Sequence, residues 1–247
     1  MKLHKFLKFK SGRNNQGCLI FRTRGGKGKQ IYRMIDFKMV LSRFIPHVIF
    51  NFVYDPYRNN YLMFIYYING ICSYRILIDG VKLGTYFYNL YYPAINGSVC
   101  LLKDAPLGKE VCLISTFFKK SIFSRSAGSF GFVLKLDYKR KMALLKLMSG
   151  LKYLVSFYNF CVVGKINNFF CNNLYYGKAG KKRNLGYKQI VRGIARNPVD
   201  HPNGGRTPGG KVYRSFSFKI ARSHKRTANK FFSNIFISKF YLKKLLI

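Results

Sequence analysis

Short apolar runs recur along the first half of the chain, with turn residues between them. From about residue 31 to residue 102 the runs are QIYRMIDFKM, HVIFNFVYD, NYLMFIYYI and SYRILI. Turn signals at Asp55-Pro56, Asn69-Gly70 and Asp79-Gly80 separate them. Runs of this length that are rich in β-branched and aromatic residues are typical of antiparallel strands. Their spacing predicts a small antiparallel barrel or sandwich.

Residues 103–177 repeat this pattern. The apolar runs there are EVCLIST, FGFVLKLD, KMALLKLM and LKYLVSFYNFCVVGKI. Turn residues again separate the runs, at Pro106, Ser126–Gly128, Asp137 and Ser149-Gly150. A second β module is therefore predicted, and the expected fold class is mainly β.

The two ends of the chain are basic and punctuated by glycine. Residues 1–30 end in FRTRGGKGKQ, and Asp200 is the single acid of residues 178–247. We predict four segments: a basic extension over 1–30, a β module over 31–102, a second β module over 103–177, and a basic, loop-rich extension over 178–247.

Charge narrows the class of partner. The 247 residues include 45 Lys+Arg against 7 Asp+Glu, a formal net charge of +38. A compact domain with so much uncompensated charge repels itself, so a polyanion is expected in the native state. The 49% of apolar residues excludes a purely disordered basic tail and is enough for one or two modest cores.

A membrane is the weaker candidate for that polyanion. The densest apolar run, residues 61–68, is much shorter than the ~20 residues that span a bilayer. The first ten residues alternate lysine with apolar residues, so no signal peptide and no membrane insertion are expected. The 6 cysteines form no CxxC pair, and no zinc or other metal site is predicted.

The stretch ARNPVDHPNGGRTPGG, residues 195–210, raises three possibilities: a catalytic pair, a phosphate loop or a binding loop. GRTPGGK resembles a phosphate loop, but Val212 stands where a Ser or Thr would hold Mg²⁺. Asp200 and His201 are sequence neighbours, which rarely face each other, and no nucleophile or second carboxylate accompanies them. We expect no enzyme activity and no small-molecule substrate, and an enzyme using His201 is the weakest alternative function.

Binding by backbone and charge remains. Glycine and proline let the main chain approach a rigid surface closely, and flanking cations neutralise phosphates. The segments GKAGKKRNLGYKQIVRGIARNP and RSHKRTANK contain no acid, so their partner must supply the negative charge. An organellar DNA-compacting nucleoid protein would share this charge, but it would not need a stiff Gly/Pro loop.

Several segments together carry a family resemblance. SGRNNQG, GGKGKQIYRMIDFK, VYDPYRNN, SRSAGSF, GKAGKKR and above all VRGIARNPVDHPNGG occur in the same order as in a known family. They resemble the universal large-subunit ribosomal protein L2 family in its bacterial or organellar form. The family's usual HPHGGG is HPNGGR here, residues 201–206, and the chain has no tryptophan.

The resemblance implies a fold and a function. The fold would be an OB-type barrel followed by an SH3-like barrel, and the two extensions would thread into large-subunit rRNA near the peptidyl transferase centre. The protein would be a structural constituent of the large subunit that supports its assembly. Its partners would be large-subunit rRNA, other large-subunit proteins and the small subunit. No cofactor is expected besides magnesium associated with the rRNA.

Candidate contact residues follow from the charge pattern and the resemblance. Those expected to bind RNA are Arg13, Asn14, Arg22, Arg24, Lys27, Lys29, Tyr32, Arg33, Lys38, Arg125, Ser126, Lys178, Lys181, Lys182, Arg183, Arg192, Arg196, Asn197, His201, Arg206, Lys225 and Arg226. Those expected near the peptidyl transferase centre are Asp200, His201, Asn203, Gly204 and Gly205. For His201 we expect loop shaping and RNA contact, and no proton transfer.

The composition also suggests a compartment. Phe, Tyr, Ile, Asn and Lys are abundant and Trp is absent, which is the bias that A+T-rich codons produce. The gene is therefore expected in an organelle genome. The mitochondrion is the first expectation for the site of action and a plastid is the alternative.

Overall fold

A computed structural model describes residues 3–39, 45–87, 95–115, 120–206 and 213–215. The described strands are β1 (His4–Phe6), β2 (Ile31–Arg33), β3 (His47–Val53), β4 (Leu62–Tyr67), β5 (Cys72–Ile76), β6 (Tyr86–Phe87), β7 (Val99–Leu101), β8 (Glu110–Cys112), β9 (Gly131–Asp137), β10 (Met142–Leu147), β11 (Lys152–Ser156) and β12 (Phe160–Val163). One short α-helix, α1 (Ala179–Asn184), and two 3₁₀ helices, Phe169–Asn173 and Gly193–Ala195, follow them. The prediction of a mainly β fold is confirmed.

The described residues divide into two compact units that are discontinuous in sequence. One unit, the β unit, contains residues 3–7 and the described part of 30–174. The other, the basic unit, contains residues 8–29, 175–206 and 213–215. None of the helices among the described residues has the length and apolar character that a membrane span requires.

A four-stranded antiparallel sheet with the order β5-β4-β3-β6 forms from the first set of apolar runs. In β4, Met63, Ile65 and Tyr67 are buried while Tyr66 is exposed, as alternation in a half-buried strand requires. The β3–β4 register shifts between Ile49 and Asn51, which leaves Phe50 as a bulged residue that is 70% exposed. Such a bulge increases the local twist and helps a small sheet to curve towards a barrel.

A six-stranded sheet with the order β11-β10-β9-β8-β12-β7 forms from the second set. Here too the register shifts, between Leu144 and Leu145 of β10, opposite β9. Strand β7 lies within the range 31–102 that was assigned to the first module, yet it pairs with β12. The four-segment division remains a prediction.

Two hydrophobic cores share three strands of the β unit. Alternate residues of β12 point into different cores, Phe160 and Val162 into the first and Cys161 and Val163 into the second. Strands β7 and β8 divide their side chains in the same way, and every residue of β12 is buried. A strand covered on both faces reads as a continuous apolar run, which explains the segment FCVV.

The first core also contains a buried arginine. Arg75 is only 1% exposed, and its Nη1 donates to Nε2 of His47 over 3.3 Å. Its Nη2 donates to the carbonyl oxygen of Gly97 over 3.4 Å, while its Nε has no hydrogen-bond partner among the described residues. No described carboxylate lies within ion-pair distance of Arg75. Burial lowers the pKa of this guanidinium from its ordinary value.

Candidate nucleic-acid interface

The two basic ends of the chain meet in the basic unit. Arg24 and Tyr187 form an antiparallel bridge, and the Arg24 guanidinium lies 4.3 Å from the centre of the Tyr187 ring. Next to this bridge, the Gly25 N–H donates to the Gly186 carbonyl over 3.0 Å and the Lys188 N–H donates to the Thr23 carbonyl over 2.9 Å. Sequence reasoning treated the extensions separately and missed this pairing, since isolated bridges between distant segments leave no local pattern.

Glycine permits this close pairing of the extensions. A Cβ on Gly25 would lie 2.4 Å from the Lys188 side chain, and a Cβ on Gly186 would lie 2.9 Å from that of Lys27. Both glycines also have positive φ, +157° and +92° respectively. These two glycines are the buried residues of the basic unit, whose other described residues are exposed or half-buried. No apolar core therefore supports the described part of this unit.

The predicted contact residues Arg13 and Asn14 shape a tight loop. Oδ1 of Asn14 accepts hydrogen bonds from the backbone N–H groups of Gln16 and Cys18, both at 2.9 Å. Nη1 of Arg13 donates to the carbonyl of Gly17 over 2.9 Å. Asn14 therefore has a structural role in addition to the predicted one, because its carboxamide closes the turn.

Helix α1 carries three exposed cations. It has the sequence AGKKRN, contains no acid and buries no residue. Lys181, Lys182 and Arg183 occupy its last turn, where positive charge stabilises a helix through its dipole. Lys178 precedes the helix and is also exposed. A helix this short and unpacked derives little stability from itself.

The loop over residues 196–206 is closed by backbone hydrogen bonds. The carbonyl of Asn197 accepts from the N–H groups of Asp200 and His201, at 3.0 and 3.2 Å. The Gly205 N–H donates to the Arg196 carbonyl over 3.0 Å, so the loop returns to its starting point. A Cβ on Gly204 would lie 2.3 Å from the backbone oxygen of Asn197, so this position excludes any side chain.

His201 lies inside this loop in a defined tautomer. Its Nδ1 accepts a hydrogen bond from the backbone N–H of Asn203 over 3.0 Å, so Nδ1 carries no proton and the neutral ring carries it on Nε2. A Cβ on Gly193 would lie 2.5 Å from the imidazole, which means that the ring packs directly against the Gly193 backbone. The imidazole is thus fixed as a hydrogen-bond donor through Nε2.

Desolvation and the neighbouring cations both disfavour protonation of the His201 ring. Partial desolvation, followed by the charges of Arg22 and Arg196, lowers the pKa of His201 from its ordinary value. Desolvation and the charge of Arg196 also lower the pKa of Arg22. Asp200 is exposed, and no hydrogen bond or ion pair joins its carboxylate to another described side chain. The arrangement provides a concentration of positive charge and no oriented acid/base dyad.

Asn203 occupies the position where the resemblance leads one to expect a second histidine. Its Nδ2 donates to the Arg214 carbonyl and its Oδ1 accepts from the Arg214 N–H, both over 2.9 Å. The carboxamide therefore pairs with the backbone as a neighbouring strand would, and it ties residues 213–215 to the loop. A neutral imidazole has one donor and one acceptor nitrogen, but the two are not placed to reach the N–H and the carbonyl of one residue together, as the carboxamide does here.

Three predicted contact residues meet in the β unit. Tyr32, Arg125 and Ser126 come from distant segments and line one cleft. Tyr57 and Arg58 line it too; sequence reasoning did not assign them, although VYDPYRNN had been noted as a family segment.

The remaining predicted residues lie apart from these groups or outside the described residues. Arg33 and Lys38 lie in the β unit and are close in sequence to residues of this cleft, but they do not line it. Lys29, Arg192 and Arg206 are exposed in the basic unit. Lys225 and Arg226 lie outside the described residues. Among the described residues no three His, Cys, Asp or Glu side chains come together as potential metal ligands.

Comparison with known families decides the affiliation of the chain. Residues 1–89 match the family model for ribosomal proteins L2, RNA-binding N-terminal domain, and residues 95–227 match the one for their C-terminal domain. The chain belongs to the ribosomal protein L2 family. The boundary between the two L2 matches falls before β7, in agreement with the pairing of that strand.

Individual L2 relatives resemble the chain over most of its length. It is 36% identical to the large ribosomal subunit protein uL2 of Amoebophilus asiaticus over 240 residues, which are 94% of this chain and 86% of that protein. It is also 36% identical to uL2 of Mycoplasma pneumoniae, with coverage of 92% and 84%. With uL2c of Psilotum nudum the identity is 37%, with coverage of 79% and 70%. The resemblance seen in the sequence is confirmed.

Proposed function

We propose that this protein is a structural constituent of the large ribosomal subunit and binds large-subunit rRNA, chiefly through the basic unit. The observation that carries the proposal is the chemistry of that unit. Asp200 is its single acid, and its described residues include no buried apolar side chain. A surface of this kind lacks both internal charge compensation and a core, so binding to a polyanion supplies much of its stability.

The loop at residues 196–206 supports a place against folded rRNA near the peptidyl transferase centre. Its backbone is closed by hydrogen bonds, its glycines permit close approach, and Arg22 and Arg196 concentrate positive charge around His201. In the proposed complex, Nε2–H of His201 donates to a phosphate or base edge and the arginines neutralise phosphates.

A non-enzymatic role fits the same geometry. A general base needs a free nitrogen directed at the proton it takes, and in His201 the unprotonated nitrogen already accepts from the Asn203 backbone. We therefore assign architecture and RNA contact to His201, and peptide-bond chemistry to the rRNA.

The finer assignments belong to the same proposal. The chain comprises a basic N-terminal extension over 1–30, an OB-type domain over 31–102, an SH3-like barrel over 103–177 and a basic C-terminal extension over 178–247. It contacts other large-subunit proteins and the small subunit, and it acts in organellar translation. The abundance of Phe, Tyr, Ile, Asn and Lys, whose codons are rich in A+T, supports an organelle genome, with a mitochondrial ribosome as the first assignment and a plastid ribosome as the alternative.

The test is the salt dependence of rRNA binding. The isolated protein should bind a large-subunit rRNA transcript with log K falling by roughly 0.7–0.9 per neutralised phosphate for each unit of log salt. For the double variant Arg192→Gln/Arg196→Gln, the number of neutralised phosphates calculated from this slope should fall by about one to two. Arg140→Gln is the matched control, because Arg140 is ion-paired with Asp137 in the β unit.

Four outcomes would contradict the proposal or a part of it. A salt-insensitive affinity would exclude phosphate contacts, and equal affinity for duplex DNA of the same length would favour the nucleoid alternative. If the protein in an organelle lysate sediments separately from the large ribosomal subunit, that result would also contradict the proposal. For His201→Gln, subunits that assemble normally but lose only peptide-bond formation would show that the histidine takes part in the chemistry.

A further inference from the structure

One face of the four-stranded sheet is apolar and open to solvent. The strand register places Tyr86, Val48, Tyr66 and Cys72 opposite one another in a single row across β6, β3, β4 and β5. Residues that lie opposite each other in antiparallel strands project from the same face of the sheet. Tyr66 and Tyr86 are exposed, while Val48 and Cys72 are half-buried. The row is therefore continuous across the whole sheet.

Two phenylalanines extend this row on the same face. Phe64 lies two residues before Tyr66 on β4 and is half-buried, so its ring projects beside that of Tyr66. The ring of Phe50, the exposed bulged residue of β3, meets the Phe64 ring nearly edge to face, with 6.3 Å between the ring centres. We call these six residues the apolar face: Val48, Phe50, Phe64, Tyr66, Cys72 and Tyr86.

The composition of the apolar face indicates what covers it. None of its six residues is charged, in a chain that contains 45 Lys+Arg. A surface that binds nucleic acid combines aromatic rings with cations that neutralise the adjoining phosphates. Because the apolar face supplies rings without cations, it suits a partner that is itself apolar. Contiguous exposed apolar residues of this kind mark surfaces that another part of a protein covers.

The chain contains an apolar segment that lies outside the described residues. Residues 231–247 read FFSNIFISKFYLKKLLI, in which Phe, Tyr, Ile and Leu account for 11 of the 17 residues. The segment follows residue 227, where the match to the L2 family model ends. It has no acid and only three lysines, so it differs from the strongly basic sequence before it. Contact of so many apolar side chains with water is unfavourable, and the segment therefore requires an apolar surface.

The chain itself tethers this segment to the described residues. Residues 216–230 connect Ser215, the last described residue, to Phe231, and they can span at most about 55 Å. This length exceeds the ~40 Å width of a compact domain of about 150 residues. A tethered segment has an effective concentration on the order of millimolar, so it competes well against free partners at micromolar concentration.

We propose that residues 231–247 pack on the apolar face of the β unit. Phe236 and Phe240, near the centre of the segment, bury their rings against Phe50 and Tyr66. The three lysines of the segment keep their ammonium groups in water at the edge of the contact, since their long side chains allow this. The contact forms within one chain and does not involve rRNA, so the inference is independent of the proposed function.

A single introduced tryptophan tests the proposal, because the chain has none of its own. Phe50→Trp in the full-length protein should show blue-shifted fluorescence that acrylamide quenches weakly, since the packed segment shields the indole. Addition of Phe236→Ser/Phe240→Ser should shift the emission to the red and increase the quenching. Loss of one buried aromatic side chain lowers the equilibrium constant for packing roughly 10- to 150-fold, so the double substitution should release the segment.

Two controls accompany this reporter. Lys243→Gln/Lys244→Gln changes the same segment but keeps its apolar residues, so the emission of Phe50→Trp should stay blue-shifted. Tyr158→Trp places the indole at an exposed position elsewhere in the β unit. Its emission should be that of a solvent-exposed tryptophan, whether or not Phe236 and Phe240 are replaced.

Labelling of Cys72 tests the same contact without a substitution on the apolar face, and it decides the question if Phe50→Trp fails to fold. Cys72 is half-buried in the sheet, so iodoacetamide reaches its thiol when no other segment covers it. In the wild-type protein its modification should be slow, and Phe236→Ser/Phe240→Ser should accelerate it roughly 10-fold or more. Exposed Cys18 calibrates the reagent and should react equally fast in both proteins.

Several results would overturn the inference. A solvent-exposed indole in Phe50→Trp, together with rapid labelling of Cys72 in the wild-type protein, would show that the segment does not cover the face. Protection that Phe236→Ser/Phe240→Ser leaves unchanged would assign the face to another occupant. Protection that increases with protein concentration across the micromolar range would assign it to a second copy of the chain. Binding to phosphatidylglycerol vesicles that requires Phe236 and Phe240, and that exposes the indole of Phe50→Trp, would assign the segment to a membrane surface.

Discussion

The buried pair His47–Arg75 should make the protein sensitive to mild acid. Nδ1 of His47 donates to the Ile45 carbonyl over 3.1 Å, and the unprotonated Nε2 accepts from Arg75. A second proton would therefore break the bond to Arg75 and place two cations side by side in the core. Burial, followed by the charge of Arg75, lowers the pKa of His47 from 6.5 to about 4.

The size and direction of the effect follow from this pKa. Between pH 6.5 and about 4 the unfolded chain holds a proton on residue 47 and the folded chain does not, so stability rises with pH in this window. The contribution is complete above pH 6.5 and is lost as the pH falls to about 4. The free energy of unfolding should drop by about 3 kcal/mol across the window because of this residue.

Chemical denaturation at a series of pH values measures the effect. His47→Gln keeps an acceptor for Arg75 but cannot titrate, so the difference between wild-type and variant stability should change by about 3 kcal/mol between pH 6.5 and 4. His4→Gln is the control, because His4 lies on exposed β1 and the substitution leaves the buried pair in place; it should retain the wild-type drop. Parallel curves for the wild-type protein and His47→Gln would refute the reasoning.

Two further experiments, a glycine substitution and a cysteine-labelling reaction, test other parts of the structure. Gly204→Ala should prevent closure of the loop, because its Cβ would overlap a backbone oxygen, and should weaken rRNA binding at least 10-fold in a filter-binding assay. Gly180→Ala is the control and should bind normally, because Gly180 lies in α1 with open space around it. Equal rRNA binding by the two variants would contradict the loop geometry. Iodoacetamide should modify exposed Cys18 in the folded protein but not Cys112 or Cys161, which are buried. Burial raises the pKa of the Cys112 thiol. A hydrogen bond with a neighbouring cysteine, together with burial, raises the pKa of the Cys161 thiol. Mass spectrometry reads this pattern, and modification of the buried thiols at the rate of Cys18 would contradict the packing of the core.

The strands could be predicted because their signals are local. Alternation in β4 and turn glycines such as Gly70 and Gly150, with φ of +79° and +81°, are legible in any window of ten residues. The pairing of β7 with β12 was not predicted, since it joins segments about sixty residues apart and leaves no local pattern in either of them. A buried arginine at residue 75 also has no local signature, because SYRILI reads as a strand whichever way its arginine points.

The candidate sites divide in the same way. NPVDHPNGG identifies its loop through composition, and the structure adds what a sequence cannot, namely that Nδ1 of His201 accepts from the Asn203 backbone. Tyr32, Arg125 and Ser126 were each predicted to contact RNA, but their convergence in one cleft depends on the tertiary fold. The RNA contacts themselves remain predictions.

The sharing of β12 between two cores has a consequence for synthesis. Phe160, Val162 and Ile166 complete the first core, although most of its other side chains come from residues 39–99. A nascent chain of which only the N-terminal half has been synthesised therefore exposes an incomplete apolar core. The first module cannot finish folding before the second has been synthesised. The interval between emergence of β3 and emergence of β12 is thus the period in which the growing chain is most exposed to aggregation.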